Sequence, residues 1–210
     1  MEEVTYDEML EMASLGAKVL HSRCVEIAKK YGVELLVCSS LNRNSGTMVR
    51  EKTKMEKMLI SGVAADKNVA KIRVAGLGND PESTFRLLNL LDRNNLNIDV
   101  MIQSLGKDGT KSVSFTVAKP DMLRTIDVLN DNKDSLGIKK LDYDENVAKI
   151  SVIGAGVRSH SGVAAKMFGA LANAGINTEM ITTSEIRITA LIDEAYADQA
   201  MRAIHETFLE

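Results

Sequence analysis

Tryptophan is absent and aromatic residues make up only 4% of the chain, which argues against base-stacking surfaces and aromatic cages. Cysteine is nearly as scarce. Cys24 and Cys38 are the only two, and neither lies in a Cys-x-x-Cys pair or beside a paired histidine. A disulfide framework and a zinc site are therefore not expected, and no metal ligand is assigned; both cysteines read as small buried hydrophobes. Positive charge is not in excess: 26 lysines and arginines face 29 aspartates and glutamates, for a formal net charge of -3, with no run of five basic residues. Nothing here is built to neutralise a phosphate backbone, so no nucleic-acid partner is expected. No apolar run reaches the roughly 18–20 residues that cross a bilayer. The N-terminus, Met1-Glu2-Glu3-Val4, is acidic where a signal peptide is basic. The chain reads as cytoplasmic, without a membrane partner. Its 210 residues, 45% hydrophobic and 26% charged, are ordinary for a globular chain with room for two small domains.

What is present is an internal repeat. Asn68-Val-Ala-Lys-Ile72 recurs as Asn146-Val-Ala-Lys-Ile150, and each copy runs through an apolar strand into glycines, Gly76-Leu-Gly78 and Gly154-Ala-Gly156. A duplication is the economical explanation. Apolar residues at helical spacing follow in both: Phe85, Leu88 and Leu91, then Val163, Met167, Leu171 and Ala174. These are expected to line the core face of a helix. Second strands are expected at Leu96–Ile102 and Ile176–Thr182. The offset between copies has grown there from 78 to 80 positions, which puts two extra residues in the second strand-to-helix loop. The first copy continues with a hairpin at Gly106–Gly109, an alternating strand Ser112–Val117, a helix opened by Pro120-Asp121 and a strand around Ile138–Tyr143. That order, βαββαβ, is the ferredoxin-like unit, an α+β arrangement with two helices on one face of an antiparallel sheet.

The second copy proceeds through a strand Glu185–Ile192 and a helix Glu194–Phe208 without a final strand. A sheet short of its edge exposes unpaired backbone. The segment Met58–Ala64, directly ahead of the first repeat, is the best candidate to fill it, which makes the first unit an insertion within the second. The expected division is 1–55 as the end of another domain, 56–66 with 145–210 as the second unit, and 67–144 as the first. Within 1–55, helices are expected near Thr5–Leu15 and over Arg23–Tyr31, with a short strand Val33–Ser39. That is too little for a domain of its own.

Gly154-Ala-Gly156 with Glu179 downstream has the outline of a dinucleotide fingerprint, but Ser159 stands at the third glycine position and too little chain follows for a doubly wound sheet. Glycines at a helix start offer close backbone approach and N–H groups suited to a carboxylate. Asp99 and Glu179 occupy equivalent positions and are expected on one side of the sheet, either as solvated edge charges or as partners for an ammonium group. His21, His160 and His205 are scattered, as expected of surface or capping residues. No nucleophile elbow, Walker A or kinase glycine loop occurs, and the residues read as a ligand-sensing pair with no catalytic residues.

The stretches Val4–His21, Val157-Arg-Ser-His-Ser-Gly-Val163 and Thr183-Ser-Glu-Ile-Arg-Ile188 resemble aspartate kinase (aspartokinase), and the resemblance spans the chain. It implies that the first stretch ends an amino-acid-kinase domain and that two ACT domains follow as a feedback module, the first inserted into the second. The family's Lys-x-Gly-Gly turn for ATP has no counterpart here, so ATP and magnesium are expected only for the full kinase, and no cofactor on this chain. The resemblance further implies lysine and/or threonine as effector at ACT interfaces, a homodimer through those domains, and a catalytic kinase subunit as a further partner. Carried over by position, one effector site would use Asn79, Ser83, Thr84, Asn97, Ile98, Asp99 and Gln103. The related site would use Val163, Ala164, Asn177, Thr178, Ser184 and Glu185. Two loops depart from the family pattern. Asn79-Asp80-Pro81-Glu82 replaces Asp-x-Pro-Gly, and His160-Ser161 replaces His-Pro of His-Pro-Gly. The alternative is a stand-alone ACT pair that senses an amino acid or dimerises without a kinase.

Overall fold

The computed structural model describes residues 1–17, 19–41, 46–52 and 60–209. The chain divides into two compact units, Met1–Lys67 with Lys149–Glu210, and Asn68–Ala148. The first unit opens on strand β1 (Glu3–Thr5) and helix α1 (Tyr6–Ser14). A capping box joins them: the Thr5 hydroxyl accepts from the Glu8 N–H at 3.3 Å, and the Glu8 carboxylate accepts from the Thr5 N–H at 3.0 Å. Helix α2 (Ser22–Tyr31) starts on His21, whose Nδ1 accepts from the Arg23 N–H at 3.2 Å, and ends at left-handed Gly32 after Lys29 and Lys30. Strand β2 (Leu35–Val37) pairs antiparallel with β3 (Thr47–Arg50), which runs parallel to β1 with Val49 opposite Val4. Val4, Tyr6, Met9, Met12, Val25 and Val49 form a core that also takes in Ala64 and Ile153. Cys24 and Cys38 are exposed rather than buried. The buried positions of α2 are Val25 and Ala28, and Cys24, one residue from Val25, is turned about 100° away.

Strand β4 (Gly62–Leu77) passes unbroken from the first unit into the second. There follow α3 (Pro81–Arg93), β5 (Met101–Leu105), β6 (Lys111–Ala118), a 3-10 turn at Lys119–Asp121, α4 (Met122–Asp131), the single turn α5 (Lys133–Leu136) and β7 (Lys140–Ile153), which carries the chain back. In the second unit the strand order is β5-β6-β4-β7, with Ile72 and Met101 both opposite Phe115. This is the ferredoxin-like βαββαβ arrangement. Ile72, Val74, Val113 and Phe115 on the sheet share a core with Leu87, Leu91, Ile126 and Leu129 on the helices. Gly76, at φ 87°, sits where the β4–β6 register shifts, and a side chain there would collide with Lys139.

The first unit resumes with α6 (Gly156–Ser159), α7 (Val163–Asn173), β8 (Met180–Thr183), β9 (Arg187–Asp193), a 3-10 turn at Glu194–Tyr196 and α8 (Ala197–Leu209). The strand order here is β4-β7-β9-β8. The missing edge is the opening of β4, where the Ser61 N–H donates to the Ile153 carbonyl at 2.7 Å. Two ferredoxin-like units therefore stand, with the continuous one, Asn68–Ala148, inserted into the one whose chain is split around it. Met58 and Leu59 of the segment expected there, and the expected boundary at 55–56, lie outside the described residues. The longer strand-to-helix loop of the second copy holds the turn α6. Among the described residues, no helix is long and apolar enough to cross a membrane.

Two further expectations are corrected. On α3 the buried positions are Ser83, Leu87 and Leu91, whereas Phe85 is 65% exposed and Leu88 only half-buried. Asp80 and Pro81 fix where the helix starts, and with Leu87 facing the sheet a residue two positions away lies on the far side. The second strands also begin late, at Met101 and Met180. In the first copy the Val100 N–H is taken by the Thr116 hydroxyl at 3.1 Å, so a side chain replaces a ladder bond there. The preceding residues make isolated bonds, Asp99 N–H to Thr116 O at 3.2 Å and Glu179 N–H to Leu191 O at 2.8 Å.

Candidate functional site

The start of α3 is set by Asp80 as N-cap and Pro81 in the first turn, a pairing that satisfies orphan N–H groups and pre-sets φ. Asp80 Oδ1 accepts from the N–H groups of Glu82 and Ser83, both at 2.9 Å, and the Ser83 hydroxyl donates to Oδ2. The Lys111 ammonium donates to the Asp80 carbonyl at 2.8 Å, and Arg86 stands 3.9 Å from Oδ1. Gly78 lies under this carboxylate, where a Cβ would press on Asp80 Oδ2 and Ser83 Oγ. The Glu82 and Ser83 N–H groups of this helix start are thus already held by an internal carboxylate. The dipeptide Asp80-Pro81, an N-cap followed by a first-turn proline, was the signal for this.

Of the remaining first-set residues, the structure joins two directly. Thr84 donates to Gln103 Oε1 at 2.6 Å, which joins α3 to β5. Ser83 is buried; Asn79, Asn97 and Asp99 are exposed, and Ile98 packs against the core. The Ser83 hydroxyl, with the Ser83 and Glu82 N–H groups, holds the Asp80 carboxyl below its ordinary value. A carboxyl whose folded value is lowered stabilises the fold above its unfolded value, and that contribution is lost as pH falls through the folded one. Asp80→Asn keeps a good cap without the charge. Its melting temperature should fall below the parent's at neutral pH and converge on it below about pH 4; a difference that persists into acid would contradict this.

At the second helix start the chemistry differs. Helix α7 begins at Gly162, at φ 109°, with no side-chain cap. Val163 is buried, Ala164, Asn177, Ser184 and Glu185 are exposed, and Thr178 is half-buried. Glu185, in the β8–β9 turn, pairs with Arg158 of α6 at 3.0 Å, and the Ser184 N–H donates to the Arg187 carbonyl at 2.7 Å. The Gly154 N–H donates to the Ile186 carbonyl at 2.9 Å. The loop after β7 and the β8–β9 turn therefore meet beside α6. Arg158 and Arg187, which bind acids here, were not among the expected site residues, because an arginine's partner lies far away in sequence.

Comparison with known proteins agrees with this architecture. An ACT domain model matches residues 150–208. An aspartokinase from Pseudomonas aeruginosa is 40% identical over 99% of this chain and 51% of its own length. The chain thus spans about half the length of the curated relatives it matches. Among solved structures, a chain of aspartokinase alpha and beta subunits is 42% identical with a TM-score of 0.67, over 71% of this chain and 98% of that one. The regulatory subunit of aspartate kinase from Thermus thermophilus, in a ligand-free form, is 33% identical with a TM-score of 0.68, over 71% of this chain and 99% of that one. With two ferredoxin-like units built one inside the other and relatives of this identity, the chain belongs to the aspartokinase family, as its regulatory region with tandem ACT domains.

Proposed function

We propose that the chain is the feedback module of an aspartate kinase, binding lysine and/or threonine at its ACT units and thereby controlling phosphorylation of L-aspartate by a catalytic segment, joined to it or separate. ATP and magnesium belong to that segment, and the setting is cytoplasmic. The observation that carries the reading is the contrast between helix starts. The α3 start is filled by Asp80, whereas α7 begins at Gly162 with no side-chain cap, a surrounding that suits the carboxylate of an amino acid. Its ammonium would be met by Glu179, the carboxylate at the entry of the second strand of the same unit. Dimerisation through β5 is favoured by its exposed Met101 and Leu105. The other edge of that unit, by contrast, carries Lys140, Asp142, Asp144 and Glu145, charges that discourage pairing.

The test is thermal unfolding with lysine or threonine, because a ligand that binds only the folded state stabilises it by RT ln(1 + [L]/Kd). At least one should raise the parent's melting temperature. Glu179→Ala should lose about tenfold in affinity, the usual effect of removing a hydrogen bond to a charged group, with Asp99→Ala tested beside it as the comparison. Equal shifts in the parent and Glu179→Ala would refute the assignment of the ammonium partner. No shift with either amino acid would refute the effector.

A further inference from the structure

Helix α1 grips both loops that meet beside α6. The Glu8 carboxylate is 5% exposed and is bonded well beyond the needs of a capping box. Oε2 takes the Thr5 N–H and hydroxyl at 3.0 and 2.8 Å. Oε1 takes the Ser61 hydroxyl and the Ala155 N–H, the latter at 3.2 Å. One oxygen thus caps α1 while the other ties it to the approach of β4 and to the loop after β7. Three residues along α1, Glu11 accepts from Arg187 Nη1 at 2.8 Å, at the first residue of β9 and directly after the Ser184–Ile186 turn. The seam continues through close approaches at two glycines. A Cβ at Gly62 would meet Met12, and one at Gly16 would strike the Ala65 carbonyl.

We propose that α1 is the element through which the state of the β7–α7 loop reaches the N-terminal segment, with Glu8 as the positioning residue and the Ala155 N–H as the group it holds. This rests on the regulatory reading above and names a route for it. A buried carboxylate that loses a donor is left under-solvated. Withdrawing the Ala155 N–H therefore obliges Glu8 either to follow, carrying the first turn of α1 with it, or to release its cap. The Arg187–Glu11 pair couples the other loop to the same helix, and the Gly154–Ile186 bond couples the loops to each other. Such coupling is reciprocal: loosening α1 must loosen the loop.

Amide hydrogen exchange on the whole chain tests this in both directions without any ligand. Ala155→Pro removes the N–H and little else, since Ala155 has φ -60°, the proline value, and follows a glycine. It should speed exchange at Leu10–Ser14 in α1 by about tenfold or more, the effect of losing a hydrogen bond to a charged group, and leave Lys111–Ala118 of β6 unchanged. Glu8→Gln should do the same across 154–162. If it fails to fold, Glu11→Gln, whose partner is partly solvated, should loosen 184–187. Exchange in α1 of Ala155→Pro equal to the parent's, or loop exchange equal to the parent's in the acid variant that folds, would overturn the coupling. With lysine or threonine added to the parent, protection should extend to α1. Protection of the loop alone also overturns the coupling, whereas no protection anywhere counts against the effector and leaves the ligand-free result to decide.

Discussion

Phe115→Ala should lower the stability of the second unit by about 3–5 kcal/mol, as expected for a buried aromatic truncated in a sheet that cannot collapse onto the gap. Phe115 is fully buried in the middle of β6, opposite Ile72 on one side and Met101 on the other. It therefore sits where the central strands meet the helix layer. Phe85→Ala is the matched control: the same atoms are deleted from a side chain that is 65% exposed, and the change should stay within about 0.5 kcal/mol. Urea unfolding of the two variants reads the difference as a shift in midpoint at constant slope. A loss below about 1 kcal/mol for Phe115→Ala would mean that the core does not lie where the strand register places it.

Asp66→Ala should cost about 1.5–3 kcal/mol, because it takes one charged hydrogen-bond partner from an ammonium that has left water. The Lys149 side chain is 6% exposed, and its Nζ lies 3.1 Å from Asp66 Oδ2. Lys149→Met should cost far less or be neutral, since an apolar side chain of similar length removes the charge that burial penalises and leaves Asp66, 19% exposed, within reach of solvent. The double variant Asp66→Ala with Lys149→Met should recover most of what Asp66→Ala loses. Calorimetric melting of the three variants decides the matter, and equal losses for the two single variants would show that the pair is not desolvated as its burial implies.

These two residues also show where sequence reading stops. Lys71 and Lys149 sit at the same place in the identical pentapeptides 68–72 and 146–150, yet Lys71 is half-buried and Lys149 buried. The copies differ in their surroundings. Lys149 alternates onto the same side of β7 as Ile153, and Ile153 packs against the core built by α1, α2 and the β1–β3 sheet. A repeated pentapeptide cannot say what will cover it. The same limit explains Phe85, whose spacing from Leu88 and Leu91 fits a helix but not the phase that Asp80 and Pro81 impose on α3.

The order of elements, the duplication, the insertion of one unit into the other and the resemblance to aspartokinase were set by the sequence alone. The first three depend on period, turn residues or recurrence, and the resemblance on the stretches Val4–His21, Val157–Val163 and Thr183–Ile188, all of them readable along the chain. Tertiary structure alone decided that Asp80 turns back onto the Glu82 and Ser83 N–H groups, while the start of α7 carries no side-chain cap. It also decided that Glu8, Ser61 and Ala155 meet at one carboxylate, and that Arg187 finds Glu11. The physical reason is separation: Ser61 lies 53 positions from Glu8, Ala155 lies 147 positions from it, and Arg187 lies 176 from Glu11. Hydrogen bonds over such distances follow from how α1 settles on the β4–β7–β9 sheet, and no pattern within a window of neighbouring residues encodes that.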